Sequence, residues 1–387
     1  MPESASMNGW RKHRFEQMAV MVNDRIDDPA EADVDYYVGL EHLDSDSLKI
    51  RRWGSPSDVE ATKLRFRAGD IIFGRRRVYQ RKLAVADFDG ICSAHAMVLR
   101  AKPDVVLREF LPFFMQSDLF MERAKEVSVG SLSPTINWKT LAKEEFDLPP
   151  LEEQRKMVEV LRSYGHSAEA MYAARSKGRM ALQAVLQSSY SAGGHLGMVS
   201  DVCPFITSGS RGWAKYYSKS GRVFMRITNM RRKSIHPDWS DTKFVRAPDD
   251  GEAERTKVML GDVLVSVTAE LGLVTLVTDE FPECHVNQHI AILRPDRSKM
   301  VPAFLAYFLA SSFGMRQFLL ANDQGAKAGL NLVSVGRIQV PIVPKQEQAR
   351  FCEIAGQVDI SSEAIEARLG HLVFQRGALL NHMLRGG

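Results

Sequence analysis

Phe146-Asp-Leu-Pro-Pro-Leu-Glu-Glu-Gln-Arg-Lys-Met-Val-Glu-Val-Leu161 has a second version further along the chain, Val340-Pro-Ile-Val-Pro-Lys-Gln-Glu-Gln-Ala-Arg-Phe-Cys-Glu-Ile-Ala355. Pro150, Glu153, Gln154 and Glu159 recur as Pro344, Glu347, Gln348 and Glu353 at one offset (344 − 150 = 194). Solenoid repeats run about 20 to 50 residues, so this period means two duplicated domains, each followed by a helix. Upstream, Arg67-Ala-Gly-Asp-Ile-Ile-Phe73 matches Met259-Leu-Gly-Asp-Val-Leu-Val265, each a Gly-Asp turn feeding an apolar strand. His95-Ala-Met-Val-Leu-Arg100 matches His289-Ile-Ala-Ile-Leu-Arg294, and Phe110-Leu-Pro-Phe-Phe114 matches Phe304-Leu-Ala-Tyr-Phe308. The correspondence covers roughly residues 37–190 against 225–385.

After each Glu-Gln turn the chain runs without proline through apolar positions stepping by four and three. These are Met157, Leu161, Tyr164, Ala168, Met171, Arg175, Gly178, Leu182 and Val185, then Phe351, Ala355, Val358, Ser362, Ile365, Leu369, Leu372, Arg376 and Leu379. Such a heptad seam makes two helices wind around each other, and the expected partner of each is the other, antiparallel, with a pseudo-two-fold axis. About 39 residues give a rod of roughly 58 Å. Arg175 and Arg376 interrupt the seam, either to fix register or to reach solvent. Gly165, Gly178, Gly356, Gly370 and Gly377 each cost about 1 kcal/mol in a helix interior and challenge its continuity.

At 387 residues the chain holds two domains of ordinary size, and its 25% charged content is that of a soluble globular protein. No signal peptide is legible at the start, and the longest apolar stretch, around residues 302–313, is too short to span a membrane. Cys92, Cys203, Cys284 and Cys352 form no Cys-x-x-Cys pair, which argues against zinc and disulfides and for a reducing cytoplasm. The net charge of +4 hints only weakly at a polyanionic partner, but the positive charge is clustered.

The first cluster, Arg75, Arg76, Arg77, Tyr79, Gln80, Arg81 and Lys82, follows the first Gly-Asp strand. It offers guanidinium forks for phosphates or guanine and an amide suited to adenine, or else a solvated turn. In the second copy Ser210, Arg211, Lys215 and Tyr216 lie in a glycine-rich loop, near Arg226, Asn229, Arg231, Arg232 and Lys233. Lys327 lies in a small-residue loop. Asn287-Gln288 read either as adenine-reading groups or as structural hydrogen-bonders on a core strand, and His95 and His289 as core histidines.

A duplicated domain whose copies each close on Pro-x-x-Glu-Gln and a long heptad helix resembles the DNA-specificity subunit of Type I restriction-modification systems. Leu148-Pro-Pro-Leu-Glu-Glu-Gln154 and Pro341-Ile-Val-Pro-Lys-Gln-Glu-Gln348 carry the resemblance, supported by Gly69-Asp70, Gly261-Asp262 and Asn287-Gln-His289. It implies an α+β fold with target-recognition domains at 1–149 and 192–344 and spacer helices at 150–191 and 345–387, the helices forming an antiparallel coiled coil. Each domain would read one half of a split double-stranded DNA target. Glu153, Gln154, Glu347 and Gln348 would face two methyltransferase subunits, with restriction and translocation subunits as further partners. No cofactor is implied on this chain. S-adenosylmethionine would belong to the methyltransferase, and ATP and magnesium to the motor and nuclease. The adenine-methyltransferase motif Asn/Asp/Ser-Pro-Pro-Tyr/Phe, a phosphate loop and a metal-ligand spacing are all missing, so no catalytic residue is expected. A scaffold or inhibitor that engages a methyltransferase without reading DNA is the other reading. An autonomous nuclease would need clustered carboxylates, and none stands out.

Overall fold

The computed structural model describes residues 9–191, 195–322 and 329–385. Its fold is α+β, divided into two compact units: residues 1–171 with 366–387, and residues 172–365. The boundary falls inside each long helix, Leu151–Ser191 and Lys345–Leu384, rather than at its start.

In the first unit an antiparallel sheet runs in the order Ala19–Val22, Ala96–Ala101, Ile71–Gly74, Leu83–Val85. A second sheet runs Arg25–Ile26, Lys63–Phe66, Gly90–Ser93, Tyr37–Val38, its last pair parallel. Helices Leu111–Gln116 and Asp118–Glu126 cover the first sheet and bury Phe114 and Phe120 against Phe15, Phe73 and Phe146. The second unit reproduces the first sheet strand for strand: Phe205–Ser208, Ile290–Arg294, Val263–Ser266, Val274–Leu276. Its other sheet, Tyr217–Ser218, Phe244–Val245, Arg222–Met225, Cys284–Val286, again ends in a parallel pair. A short antiparallel pair closes each unit, Arg11–Arg14 with Glu145–Leu148 and His195–Met198 with Gln339–Ile342.

Two of the repeated sequence blocks are joined by one contact in each unit. Gly69 and Gly261 take φ of 88° and 87°, which L side chains rarely adopt, and aim the following aspartate inward. Asp70 then accepts two bonds from Arg100, at 2.8 and 2.9 Å. Asp262 accepts the same pair from Arg294, at 2.8 and 2.9 Å. Each carboxylate also takes a backbone N–H, from Arg67 or Met259, closing the turn. A buried charge needs such multiple partners to be tolerated.

The long helices are continuous through all their glycines. A Cβ on Gly178 would meet the Val358 side chain at 3.3 Å, so this glycine lets the two helices approach within the second unit, while Gly165, Gly356, Gly370 and Gly377 face open space. The heptad positions Met157, Leu161, Phe351, Ala355, Ser362 and Leu369 are buried, but at the end of the first helix the buried residue is Leu186 and not Val185. A straight helix drifts about 20° per heptad from a 3.5-residue repeat, and over four heptads that brings the next residue onto the face. Arg376 turns inward: its Nη2 donates to Gln116 Oε1 at 2.9 Å and to the carbonyl of Asp46. Burial pushes the Arg376 pKa down. Arg175 is half-buried with its guanidinium 5.6 Å from the Tyr172 ring. Among the described residues no single helix is long and apolar enough to cross a membrane. The apolar pair Pro302–Ala310 and Ser312–Leu320 bends by 67° and buries Phe304, Phe308 and Phe318 in the core of the second unit.

Candidate nucleic-acid interface

In the first unit the basic loop leaves strand Ile71–Gly74 and returns at once, because Gly74 N–H donates to Lys82 O at 2.9 Å. Between them Arg77 and Arg81, at φ 53° and 51°, bracket a single 3-10 turn, Val78–Gln80. Non-glycine residues in this left-handed region persist only where surrounding contacts hold them. Here Arg77 N–H donates to Pro134 O at 2.8 Å and Ile136 N–H to Arg75 O at 2.9 Å, tying the loop to the hairpin Ser128–Val129/Thr135–Ile136. Arg76 Nη1 lies 3.0 Å from His95 Nε2 and its Nε donates to Ser133 Oγ. Burial, then Arg76, Arg75 and Lys63, push the His95 pKa below its usual value, so a neutral ring can accept the Arg76 proton.

The loop's cations divide sharply. Arg81 donates to Asp46 Oδ1 at 2.6 Å, to Asp118 Oδ1 at 3.0 Å and to the Gln116 carbonyl, while Lys82 Nζ donates to Leu40 O at 2.6 Å. Both are structural, which corrects the expectation that they meet DNA. Arg77 and Tyr79 are exposed and Arg75 and Gln80 half-buried, and their side chains make no hydrogen bond among the described residues, where Arg75 Nε is buried without a partner.

In the second unit the glycine-rich loop is held tightly. A Cβ on Gly209 would meet Val286 O at 2.1 Å, so glycine there permits backbone approach. Ser210 is 2% exposed and its Oγ bonds Thr256 Oγ1 at 3.0 Å. Trp213 is buried, stacked on Phe224 and packed 5.1 Å from the His285 ring. Arg211 is exposed with its Nε donating to Gln288 Oε1 at 2.9 Å. Asn229 is 1% exposed and caps the 3-10 turn Ile227–Asn229, bonding Arg226 N and the carbonyls of Asp238 and Asp241. Arg226 and Arg231 pair with Asp241 at 2.7 Å and Asp238 at 3.0 Å, and Arg232 binds Glu270 and Leu271 O. A bond from Arg226 pulls the Asp241 pKa down. Lys215 lies 4.9 Å from the Tyr216 ring, and Lys215 and Lys233 are exposed.

Residues 59–172, all in the first unit's share of the chain but for the last, match the family described as Type I restriction modification DNA specificity domain. That stretch of the chain resembles the specificity domain. It is 29% identical over 153 residues to the Type I restriction enzyme EcoDI specificity subunit of Escherichia coli, covering 39% of this chain and 34% of that protein. Against the EcoBI specificity subunit, also of Escherichia coli, identity is 20% over 166 residues, covering 43% and 34%. The chain thus spans about a third of the length of the curated relatives it matches. A solved structure described as "Structural basis underlying complex assembly and conformational transition of the type I R-M system" shares the fold, with a TM-score of 0.53 and 22% identity over 100% of both chains.

In the two units the sequence-predicted residues fall into two sets. Ser210 and Asn229 are buried and bonded within their unit, and Arg226 and Arg232 are tied to carboxylates and carbonyls of their own unit. Gln154 and Gln348, expected at a partner surface, are 1% and 0% exposed. Gln154 accepts Leu107 N–H at 2.9 Å and donates to Val105 O and Pro149 O. Gln348 accepts Val301 N–H at 2.7 Å and donates to Lys299 O and Val343 O. They fasten each helix start to its own unit, leaving only Glu153 and Glu347 exposed for a partner. His95 is exposed rather than a core residue. Asn287 and Gln288 lie between strands, not on one, and His289 is half-buried against Thr268. Lys327 lies outside the described residues. Sequence reasoning missed Lys219 and Arg246, exposed beside the Tyr217–Ser218/Phe244–Val245 strand pair, where Arg246 N–H donates to Tyr216 O at 3.0 Å. Lys219 lies only two positions past the quoted loop, whereas nothing in the sequence marks Arg246.

Proposed function

We propose that this chain is the non-catalytic specificity subunit of a Type I restriction-modification system, reading a bipartite duplex DNA target with one unit per half-target. The observation that carries this reading is the specificity-domain match at residues 59–172, together with a second unit built on the same sheet order, Asp–Arg pair and buried glutamine. In the first unit, Arg75, Arg77, Tyr79 and Gln80 contact DNA, with Arg76 in support. In the second, Arg211, Lys215, Lys219, Lys233 and Arg246 do so. Their loops differ between units while the frames agree, as two different half-targets require.

The long helices pair antiparallel as a coiled coil. In support, residues early in the first helix and late in the second (Met157, Leu161, Leu380, Leu384) share the first unit's core, and Leu186, Phe351 and Ala355 share the second's. A second stripe runs along the exposed side of both helices at repeat-equivalent positions. His166, Ala170, Ala173, Lys177, Met180 and Ala184 are matched by Ile360, Ala364, Ala367, His371, Phe374 and Ala378. Small residues around exposed large apolar side chains, Met180 on the first helix and Ile360 and Phe374 on the second, suit two copies of one helical partner, the methyltransferase subunit. S-adenosylmethionine binds to that partner, and ATP and magnesium to restriction subunits, all in the cytoplasm.

Mapping N6-methyladenine in a host that expresses the chain with its neighbouring methyltransferase tests the reading. A split asymmetric methylated motif is expected. A blank map from an assembled complex, or a complex without salt-dependent duplex binding, would overturn it.

A further inference from the structure

We propose that the hairpin tip carrying Leu132 is a wedge that enters the DNA stack beside the half-target read by the first unit. Strands Ser128–Val129 and Thr135–Ile136 hold this tip, which turns at Gly130 with φ 112°. Leu132 is 93% exposed and Val129 78% exposed, the two highest values among the large apolar side chains of the described residues. An isolated exposed leucine is ordinary. This one differs in where it is fixed.

The tip is braced against the arginine loop on its base side. Arg77 N–H donates to Pro134 O at 2.8 Å, Arg76 Nε donates to Ser133 Oγ at 3.2 Å, and Arg76 bridges Thr135 through the backbone. An apolar tip with the Arg76 guanidinium bonded at its base and the exposed Arg77 tied to it through the backbone is a poor match for the core of a protein interface, from which charge is depleted. It matches duplex DNA, where cations take the phosphates and an apolar side chain slides between base pairs, unstacking one step. The flexible pyrimidine–purine steps unstack most readily. The tip therefore reads deformability next to the bases that the loop reads directly. At the position 194 residues further on the sequence has Ala326 in place of Leu132 (326 − 132 = 194), in a stretch outside the described residues.

The inference rests on the duplex-reading function above, and its test separates the two. The complex of the full chain with its methyltransferase is titrated with duplexes carrying the mapped target. 2-Aminopurine is placed in turn at steps in and around the first unit's half-target, away from the methylated adenines. The wild-type complex is expected to raise fluorescence at one step. Leu132→Ala should abolish that rise and weaken target binding about tenfold, with an unchanged slope of affinity against salt; Leu132→Met should retain both. Wild-type binding and unstacking in Leu132→Ala, or an altered salt slope, or loss of methyltransferase co-purification, would overturn the wedge while leaving the specificity function standing. Failure of the wild-type complex to bind any duplex would remove both.

Discussion

The strand after the Gly-Asp turn is the same in both units, but the segment it leads into differs. After Ile71–Gly74 the first unit places a loop with Arg75, Arg76, Arg77 and Arg81, whereas after Val263–Ser266 the second makes a short turn with Glu270 and Gly272 and places its cations elsewhere, at Lys215, Lys219, Lys233 and Arg246. Frame and reading surface therefore vary independently. A frame held by the Asp–Arg pairs and the buried glutamines tolerates different loops because neither of those two contacts passes through them.

The comparison breaks most visibly where the frame itself is cut. Asp262 is 0% exposed with Arg294 29% exposed at its side chain, whereas Asp70 faces an Arg100 that is 50% exposed. Removing one partner of a buried pair costs about 3–5 kcal/mol. Asp262→Ala is expected at the lower end of that range and Asp70→Ala below it, because Arg100 regains water more easily; urea unfolding of each variant measures this, and equal losses would contradict the burial argument. Gln154→Ala and Gln348→Ala should each cost about 2 kcal/mol, since each leaves a buried N–H and carbonyls unpaired. Here the two units should agree, and a loss of methyltransferase binding without a loss of stability would return these glutamines to the partner surface.

Acid sharpens the contrast between the units. His285, on the strand that corresponds to the one bearing Ile91, is pushed down to about 4 from the usual 6.5 by burial and then by Arg222 and Lys257. The folded unit keeps it neutral while the unfolded chain takes up the proton, so its contribution to stability is complete above pH 6.5 and is lost between 6.5 and about 4. The urea midpoint followed through Trp213, packed against His285, should fall from pH 7 to pH 5, and His285→Leu should flatten that dependence. A wild-type midpoint unchanged over this range would refute it. The smallest stability effect is expected at the free arginine: Arg77→Ala should shift stability by no more than about 0.5 kcal/mol while lowering the salt slope of duplex binding by about one. Arg81→Ala should do the reverse, losing stability with the salt slope intact.

Much of the frame was legible because duplication preserves what holds it. Gln154 and Gln348 stand out in the sequence as repeated residues, but repetition alone does not say whether a polar group faces inward or out. Their burial depends on Leu107 and Val301, 47 residues away along the chain. Asp70 and Arg100 were visible as members of two separate echoes, and only the register of adjacent strands joins them. The basic clusters were legible as charge and not as availability. Arg81 is neutralised by Asp46 and Asp118, carboxylates 35 and 37 residues away in opposite directions, so no local window shows that it is spent while Arg77 is free.

The division of the chain inside its helices also sets an order of assembly. Leu380 and Leu384 complete the first unit's core, and Asn381 holds Asp118 from the same stretch. The first unit waits for residues beginning 195 positions after its first segment ends (366 − 171 = 195). At about 5–20 residues per second that delay is roughly 10–40 s, during which Met157 and Leu161 lack these partners. Of the two units, the one whose first segment is made first is thus the one finished last, its apolar face uncovered until residues 366–384 have been made.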